Sequence, residues 1–253
     1  MVPKKLTSLQ HPFVKYVVSL RKEKNLRKLE KKVLIMGIKM VEELIISKAP
    51  IQTLLIQEEM ADSFPFLSKI TFPEVLLVTH DILKKITGVP NPEPIAATVS
   101  TPPFSDLSNA SRLLVLDGLS DPGNVGTLIR SALALGWDGV YLTENTCDPF
   151  NEKALRAAKG ATFKLPLCEG TWNDFVTMSE KKPLKVLLAD IIGSNIQDHK
   201  GNDSLALILS KESQGPRKEA KELFEKITIP MNNQAESLNV ASAGSILLYE
   251  LKR

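Results

Sequence analysis

Three separated segments hold the side chains best suited to chemistry. They are Asp117-Gly-Leu-Ser-Asp-Pro-Gly-Asn124 with Arg130 beyond it, Ser210-Lys-Glu-Ser-Gln-Gly215, and Ile229-Pro-Met231 running on to Ser237-Leu-Asn239. Each leaves a short apolar run, and the carboxyl ends of strands are where open α/β sheets place their ligands. Amides, a guanidinium and the Glu212 carboxylate gathered there could hold a polar ligand and orient a reacting group. Singly, each segment also has a plain structural reading. Asp121 and Pro122 suit a helix cap and first turn, which leaves Arg130 an exposed helix residue. Glu212 can be simply solvated, and Ser237 suits a helix N-cap. Between the first two segments, Lys153, Arg156 and Lys159 recur at three-residue spacing, so they share a face that could meet phosphate or serve as ordinary surface charge.

Several chemistries are excluded by what the chain lacks. Among thirteen glycines there is no Gly-x-Gly, so neither the dinucleotide fingerprint nor the glycine-rich phosphate loop is present. An α/β domain without such a turn must hold a nucleotide differently, through backbone groups of loops after other strands. Cys147 and Cys168 form neither a disulfide framework nor a metal spacing, and read as reduced core thiols. His11, His80 and His199 have no ligand spacing, so no metal is expected. No apolar run approaches the roughly 18–20 residues of a membrane span, and the start, Met-Val-Pro-Lys-Lys, lacks an apolar signal core.

The elements that must position these groups follow from periodicity. Ser8 is expected to cap a helix through Phe13, Val17, Val18 and Leu20, and Val33–Met36 reads as a short buried strand broken by Gly37. Met40, Val41, Leu44 and Ile45 form the next helical stripe, Ile51–Ile56 and Val75–Val78 read as strands, and Asp81 is expected to cap a helix through Leu83 and Ile86. Ile95–Val99 is a further strand in a proline-rich stretch. In the C-terminal half the expectation is strand Leu113–Leu116, helix Val125–Leu135, and strands Val140–Leu142, Lys185–Ala189, Leu205–Leu209 and Ile227–Ile229. A helix beginning near Pro216 and a last helix from about Ser237 to Leu251 complete the pattern. Near-continuous apolar strands alternating with helices imply a mostly parallel sheet covered on both faces. The expected organisation is a first domain over 1–100, a linker over 101–110 rich in proline and turn formers, and a second domain over 111–253.

Charge is uneven. Residues 1–32 contain ten Lys and Arg against two Glu, a local +8 on a chain of net +3, which leaves −5 for residues 33–253. Such a basic segment suits a polyanion, and phosphate is the obvious one, although a solvated helix face has the same composition.

Taken together, Asn124-Val-Gly-Thr-Leu-Ile-Arg130, Leu207-Ile-Leu-Ser-Lys-Glu212-Ser-Gln-Gly215 and Ile229-Pro-Met231 leading to Ser237-Leu-Asn239-Val resemble, in order and gaps, the three motifs of the SpoU (TrmH-like) RNA ribose 2′-O-methyltransferases. These are a branch of the SPOUT class. Cys147-Asp-Pro-Phe-Asn and the Gly160-Ala pair also look like that family. Thr7-Ser-Leu-Gln-His-Pro-Phe-Val-Lys15, Leu34-Ile-Met-Gly37 and Thr87-Gly-Val-Pro-Asn-Pro are similar to its L30e-like RNA-binding domain, so the resemblance spans nearly the whole chain. The family usually has glycine where Ser210 stands, and glutamate where Met36 stands.

The resemblance implies a SPOUT domain ending in a trefoil knot, preceded by a smaller L30e-like α/β domain. It implies methyl transfer from S-adenosylmethionine to a ribose hydroxyl of structured RNA, with Asn124, Arg130, Ser237 and Asn239 catalytic. Cofactor contacts fall at Leu209, Ser210, Glu212, Gly215, Ile229, Met231 and Leu238. RNA would meet Lys15, Arg21, Lys22, Arg27, Lys28, Lys153 and Arg156, with rRNA favoured over tRNA by the added N-terminal domain. A homodimer is implied, since in the family the first-motif arginine reaches the partner's cofactor; no metal and no membrane are involved. Because a guanidinium holds its proton at neutral pH, Arg130 is expected to bind phosphate and favour hydroxyl ionisation electrostatically rather than act as the base. The compartment is expected to be intracellular: cytoplasm, or a chloroplast or mitochondrion if a transit leader precedes this sequence. A non-catalytic RNA-binding or ribosome-assembly protein that keeps the fold is the alternative.

Overall fold

The computed structural model describes residues 3–252 apart from Lys69, Lys200, Glu212, Ser213, Asn233 and Ala235. The chain divides into two compact units, Met1–Pro102 with Phe150–Glu152, and Pro103–Pro149 with Lys153–Arg253.

The first unit runs β1 (Lys4–Leu6), α1 (Pro12–Lys22), α2 (Lys24–Glu30), β2 (Lys32–Met36), α3 (Ile38–Ile46), β3 (Ile51–Gln57), β4 (Glu74–Val78), α4 (His80–Thr87) and β5 (Ile95–Ser100). Its five-stranded sheet has the order β1-β4-β3-β5-β2, parallel from β1 to β3 and antiparallel where β5 pairs with β3 and β2. Helix α1 buries Val14, Val17 and Leu20, a helical stripe. Its cap is His11, whose Nδ1 accepts from Phe13 N–H at 3.1 Å, and not Ser8, whose hydroxyl instead accepts from Gln10 N–H. Helix α4 is likewise capped by Thr79, two residues ahead of the expected Asp81, which lies in its first turn. Gly37 ends β2 with φ +99°, a backbone that an L side chain rarely adopts. Strand β1 has no counterpart in the sequence reading, because three residues are too few to show a period.

The second unit runs β6 (Arg112–Asp117), α5 (Pro122–Ala134), β7 (Gly139–Leu142), α6 (Glu152–Ala158, whose first residue groups with the first unit), β8 (Leu167–Glu169), α7 (Trp172–Glu180), β9 (Lys185–Asn195), β10 (Leu205–Ser210), α8 (Lys218–Leu223), β11 (Glu225–Thr228) and α9 (Val240–Glu250). Its six strands are all parallel, in the order β11-β9-β10-β6-β7-β8. Strand alternation sends Leu114, Leu116, Leu207 and Leu209 to one face, where they pack with Leu128 and Ile129 of α5 and Leu247 and Leu248 of α9. Leu113, Val115, Ala206 and Ile208 go to the other, against Trp172 and Phe175 of α7 and Ala220 of α8. Burial on both faces is the reason these strands read as unbroken apolar runs.

Residues 103–110, expected as a linker, pack on this unit. Leu107 is 3% exposed within the second core, and Ser105 N–H donates to Leu167 O. Strand β9 continues past the expected Ala189 to Asn195 and pairs with β11 across a register shift at Lys226/Ile227. Helix α8 starts at Lys218, two residues beyond Pro216. Arg112 is 3% exposed; its guanidinium donates to the carbonyls of Leu251 and Asn202, fastening the end of α9 to the start of β6.

Among the described residues no helix is long and apolar enough to cross a membrane. No group of three or more His, Cys, Asp or Glu among them could hold a metal ion.

Candidate active site

Three loops leave the carboxyl ends of neighbouring strands of the second unit. The first follows β6. Asp121 accepts from Asn124 N–H at 2.8 Å and so caps α5, with Pro122 in its first turn. Upstream, Gly118 N–H donates to Thr143 Oγ1 and Thr146 Oγ1 at 3.2 and 3.0 Å, which fixes where the loop departs. Arg130 lies on the exposed side of α5 with Ala134, and forms no hydrogen bond or ion pair with any described residue.

The second loop leaves β10 at Ser210 and turns at Gly215, whose φ of +64° needs glycine and whose N–H donates to Lys211 O. Ser210 takes the phase of Ala206 and Ile208, opposite to Leu209. A Cβ in place of the family's usual glycine therefore lies on the α7–α8 side of the sheet. The Ser210 hydroxyl is buried there without a hydrogen-bond partner among the described residues. Glu212, expected to help hold a cofactor, lies outside the described residues.

The third segment runs from β11 to α9. Asn239, and not Ser237, caps α9: its Oδ1 accepts from Ala241 N–H and Ser242 N–H at 2.9 and 3.3 Å. Its Nδ2 donates to Asn124 Oδ1 at 3.2 Å, so the first and third segments meet through a pair of amides. Helix α9 lies close against α5, and Ser131 and Ser245 hydroxyls are 2.9 Å apart between them. Gly244 makes this approach possible, since a Cβ there would fall on the methyls of Leu128 and Leu209.

The second and third segments enclose a cavity of about 490 Å³. Leu209, Ser210, Gly215, Ile229, Met231, Ser237 and Leu238 line it, which gathers every described residue expected to contact a cofactor. The sequence reading missed Asp190 in the middle of β9 and Lys221 on α8, which also line it; Asp190 Oδ2 stands 3.6 Å from Lys221 Nζ, and the Asp190 side chain is 9% exposed. A single carboxylate inside a strand carries no periodic signal, and it follows directly on the apolar run Leu187-Leu-Ala189. Arg130, Asn124 and Asn239 do not line the cavity, but Asn239 sits between Leu238 and Val240, which do. The size falls within the roughly 300–1,000 Å³ of small-molecule sites. The lining is mainly aliphatic with a few charged and hydroxyl groups, which suits a small molecule with both apolar and polar parts.

Of the basic residues expected to meet RNA, Lys15, Lys22, Lys28, Lys153 and Arg156 are exposed. Arg27 is not: it is 4% exposed, and its Nη1 donates to Leu20 O and Arg21 O at 3.0 and 2.8 Å. Arg21 has a side chain only 13% exposed; it donates to Thr87 O and pairs with Glu152 of the same unit at 3.1 Å. Both serve the first unit's interior, where they satisfy the carbonyls at the end of α1 and of α4, and neither presents its charge to a phosphate.

An all-parallel sheet covered on both faces, with a cavity beyond the carboxyl ends of its strands, is the arrangement of α/β proteins that bind small ligands there. Comparison with known proteins narrows this. The SpoU rRNA Methylase family matches residues 111–249, and the MRM3-like substrate binding domain matches residues 11–97. The chain is 33% identical over 221 residues to the 23S rRNA (guanosine(2553)-2′-O)-methyltransferase RlmP of Bacillus subtilis, covering 87% of this chain and 88% of that one. It is 30% identical to an uncharacterized tRNA/rRNA methyltransferase of Synechocystis over 98% of this chain and 93% of that one. An AdoMet-bound rRNA methyltransferase from Sinorhizobium meliloti superposes with a TM-score of 0.86 at 28% identity, over 98% of this chain and 96% of that one. The chain belongs to the SpoU rRNA methylase family.

Proposed function

We propose that the protein methylates a ribose 2′-hydroxyl of ribosomal RNA with S-adenosylmethionine as donor. The observation that carries this is the cavity, in which the second and third family segments converge while their Asn239 bonds Asn124 of the first. The printed names of the relatives, an rRNA 2′-O-methyltransferase and an AdoMet-bound rRNA methyltransferase, support the donor and the substrate class.

In this reading Leu209, Ile229, Met231 and Leu238 supply an apolar bed for the adenosyl group, and the backbone at Ser210 and Gly215 supplies its polar contacts. When bound, S-adenosylmethionine would supply an electrophilic methyl on a sulfonium; its transfer to the ribose oxygen would break the sulfur–methyl bond, leave a neutral thioether, and release the hydroxyl proton to water. The Asn124–Asn239 amide pair and Ser237 shape the acceptor side. Arg130 keeps its proton, so it anchors the phosphate beside the target ribose and favours the ionised hydroxyl.

Arg130 is exposed, pairs with no described residue and lines no part of its own chain's cavity. That arrangement supports a homodimer in which each Arg130 completes the partner copy's site, with the chain end knotted as in the family. Exposed Lys15, Lys22 and Lys28 in the first unit, and Lys153 and Arg156 in the second, are the RNA-facing cations of this reading.

The test is transfer of labelled methyl from S-adenosylmethionine to unmodified rRNA fragments and to tRNA, with wild type and Arg130→Ala. Label recovered as 2′-O-methylnucleoside in rRNA, and lost in the variant, is expected. Transfer to tRNA alone would overturn the substrate assignment. RNA binding with neither cofactor uptake nor transfer would leave the RNA-binding module as the better reading. Sedimentation at assay concentration checks the dimer, which a monomeric active enzyme would refute.

A further inference from the structure

The loop that follows β10 is tied down at its far end by a side chain that does not touch the cavity. Arg217, the N-cap residue of α8, comes directly after the cavity residues Gly215 and Pro216. Its Nε donates to Asp117 Oδ2 at 2.9 Å and its Nη2 to Asp117 Oδ1, a two-pronged pair. Its Nη1 donates to Glu144 Oε1 at 3.4 Å, and its guanidinium carbon lies 4.5 Å from the centre of the Trp172 ring. The carboxylates are held in turn: Thr143 Oγ1 donates to Asp117 Oδ1 at 2.8 Å, and Trp172 N–H to Glu144 Oε2 at 2.7 Å. Burial works against the Arg217 charge, but its bonds to Asp117 and the nearby charges of Asp117 and Glu144 outweigh that, so its pKa lies above the ordinary guanidinium value.

The connectivity gives this network its meaning. Asp117 is 5% exposed, ends β6, and is followed by Gly118 and the turn that delivers Asn124. Asp117 is also the ladder partner of Ser210, where the cavity loop leaves β10. The loop therefore departs beside Asp117 and is fastened back to Asp117 seven residues later. A single guanidinium locks the cavity's second segment to the root of the first, which bears the acceptor-side amide.

We propose that Arg217 is a positioning residue for cofactor binding: it holds the wall formed by Lys211, Gln214, Gly215 and Pro216 at a fixed distance from the strand that leads to Asn124. This rests on the reading of the cavity as the S-adenosylmethionine site. The fork matters because Asp117 is met through two parallel N–H···O bonds, which a lysine cannot supply. An ion pair that only stabilises the fold would change how much enzyme is folded, and so kcat, while leaving KM alone. A positioning role moves KM for the cofactor.

The experiment uses the full chain as wild type, Arg217→Lys, Arg217→Ala, Asp117→Asn and the Arg217→Lys/Asp117→Asn double variant. Thermal melting of each is recorded, with calorimetric S-adenosylmethionine binding and separate KM values for cofactor and RNA. The expected result for Arg217→Lys is a rise of about tenfold or more in cofactor Kd and KM, with KM for RNA within about twofold of wild type. The double variant should be little worse than Asp117→Asn alone, because the two side chains act as one unit. Unchanged cofactor KM with a lowered kcat, or losses that add in the double variant, would overturn the proposal. If Arg217→Ala does not fold, Arg217→Lys still decides, since it keeps charge and stem. Wild type that neither binds S-adenosylmethionine nor transfers methyl would sink the cofactor reading itself, and this inference with it.

Discussion

Substitutions at Asn239 separate the capping of a helix from the shaping of a site. Its Oδ1 accepts from two backbone N–H groups at the start of α9, and its Nδ2 donates to Asn124. Asn239→Ala removes both functions. Loss of a helix N-cap costs about 1 kcal/mol, and loss of an exposed neutral side-chain hydrogen bond adds about 0.5 kcal/mol. A total near 1.5 kcal/mol in a unit of this size lowers Tm by about 3–6 °C. Asn239→Asp keeps the capping oxygen and adds a negative charge at a helix N-terminus, a gain of about 0.3–1 kcal/mol. It also replaces the donor facing Asn124 Oδ1 with a second acceptor, so the amide pair is lost. The expected outcome is a Tm within about 2 °C of wild type for Asn239→Asp, and methyl transfer well below wild type for both variants. Differential scanning fluorimetry and a labelled-methyl assay at saturating cofactor read the two effects separately. Equal Tm losses in the Ala and Asp variants would refute the capping assignment. Full activity in Asn239→Asp would refute the role given to the amide pair.

Gly126→Ala should destabilise, against the roughly 1 kcal/mol that alanine normally gains over glycine inside a helix. A Cβ there would strike the Ala154 carbonyl oxygen and come within 2.8 Å of Ala157 Cβ, and overpacking of this kind costs about 1–3 kcal/mol; a urea midpoint at or above wild type would contradict it. Arg130→Lys should lose most methyl transfer while melting like wild type, because lysine keeps the charge but not the two-pronged phosphate grip; near-normal rates would defeat the anchor role. Burial, then the charges of Asp106, Asp174 and Glu169, push the Cys168 thiol up from its ordinary value. At pH 8 it should therefore alkylate more slowly than an unstructured cysteine, with the rate climbing only at higher pH. Peptide mapping after iodoacetamide treatment measures this, and native labelling at the unfolded rate would refute it.

The six-stranded sheet was legible because each long strand is buried on both faces and so reads as a solid apolar run. Strands β1 and β8, three residues each, carry no such run. The end of β9 escaped notice for a different reason. Residues 191–195 are exposed and held mainly by backbone pairing with β11, and pairing of that kind leaves no mark on side-chain pattern. The cavity was legible through its segments, since the described residues Leu209, Ser210, Gly215, Ile229, Met231 and Leu238 do converge on it. Asp190 and Lys221 were not, because they join that wall only through the strand order. Helix ends were the weakest point: Ser8, Asp81 and Ser237 have the right chemistry, yet His11, Thr79 and Asn239 have the right backbone position. Arg27 shows the limit of reading charge as surface. It sits in a basic run, but the short helix α2 turns it inward onto the carbonyls of α1.

The strand order also dictates when the site can exist. Strand β10 lies between β9 and β6, and its ladder partners in β6 lie 93 residues earlier in the chain, Leu205 against Arg112. Pairing over such separations is slow and must await synthesis of the later strand. The first unit's five strands, in contrast, are all complete by Ser100. On a ribosome adding about 5–20 residues per second, that unit can therefore fold while the second is still missing its centre. The amide that caps α9 and meets Asn124 belongs to Asn239, 139 residues beyond Ser100. A growing chain thus passes through a stage with its first five strands paired and no cavity, and the site is complete only once α9 lies against α5.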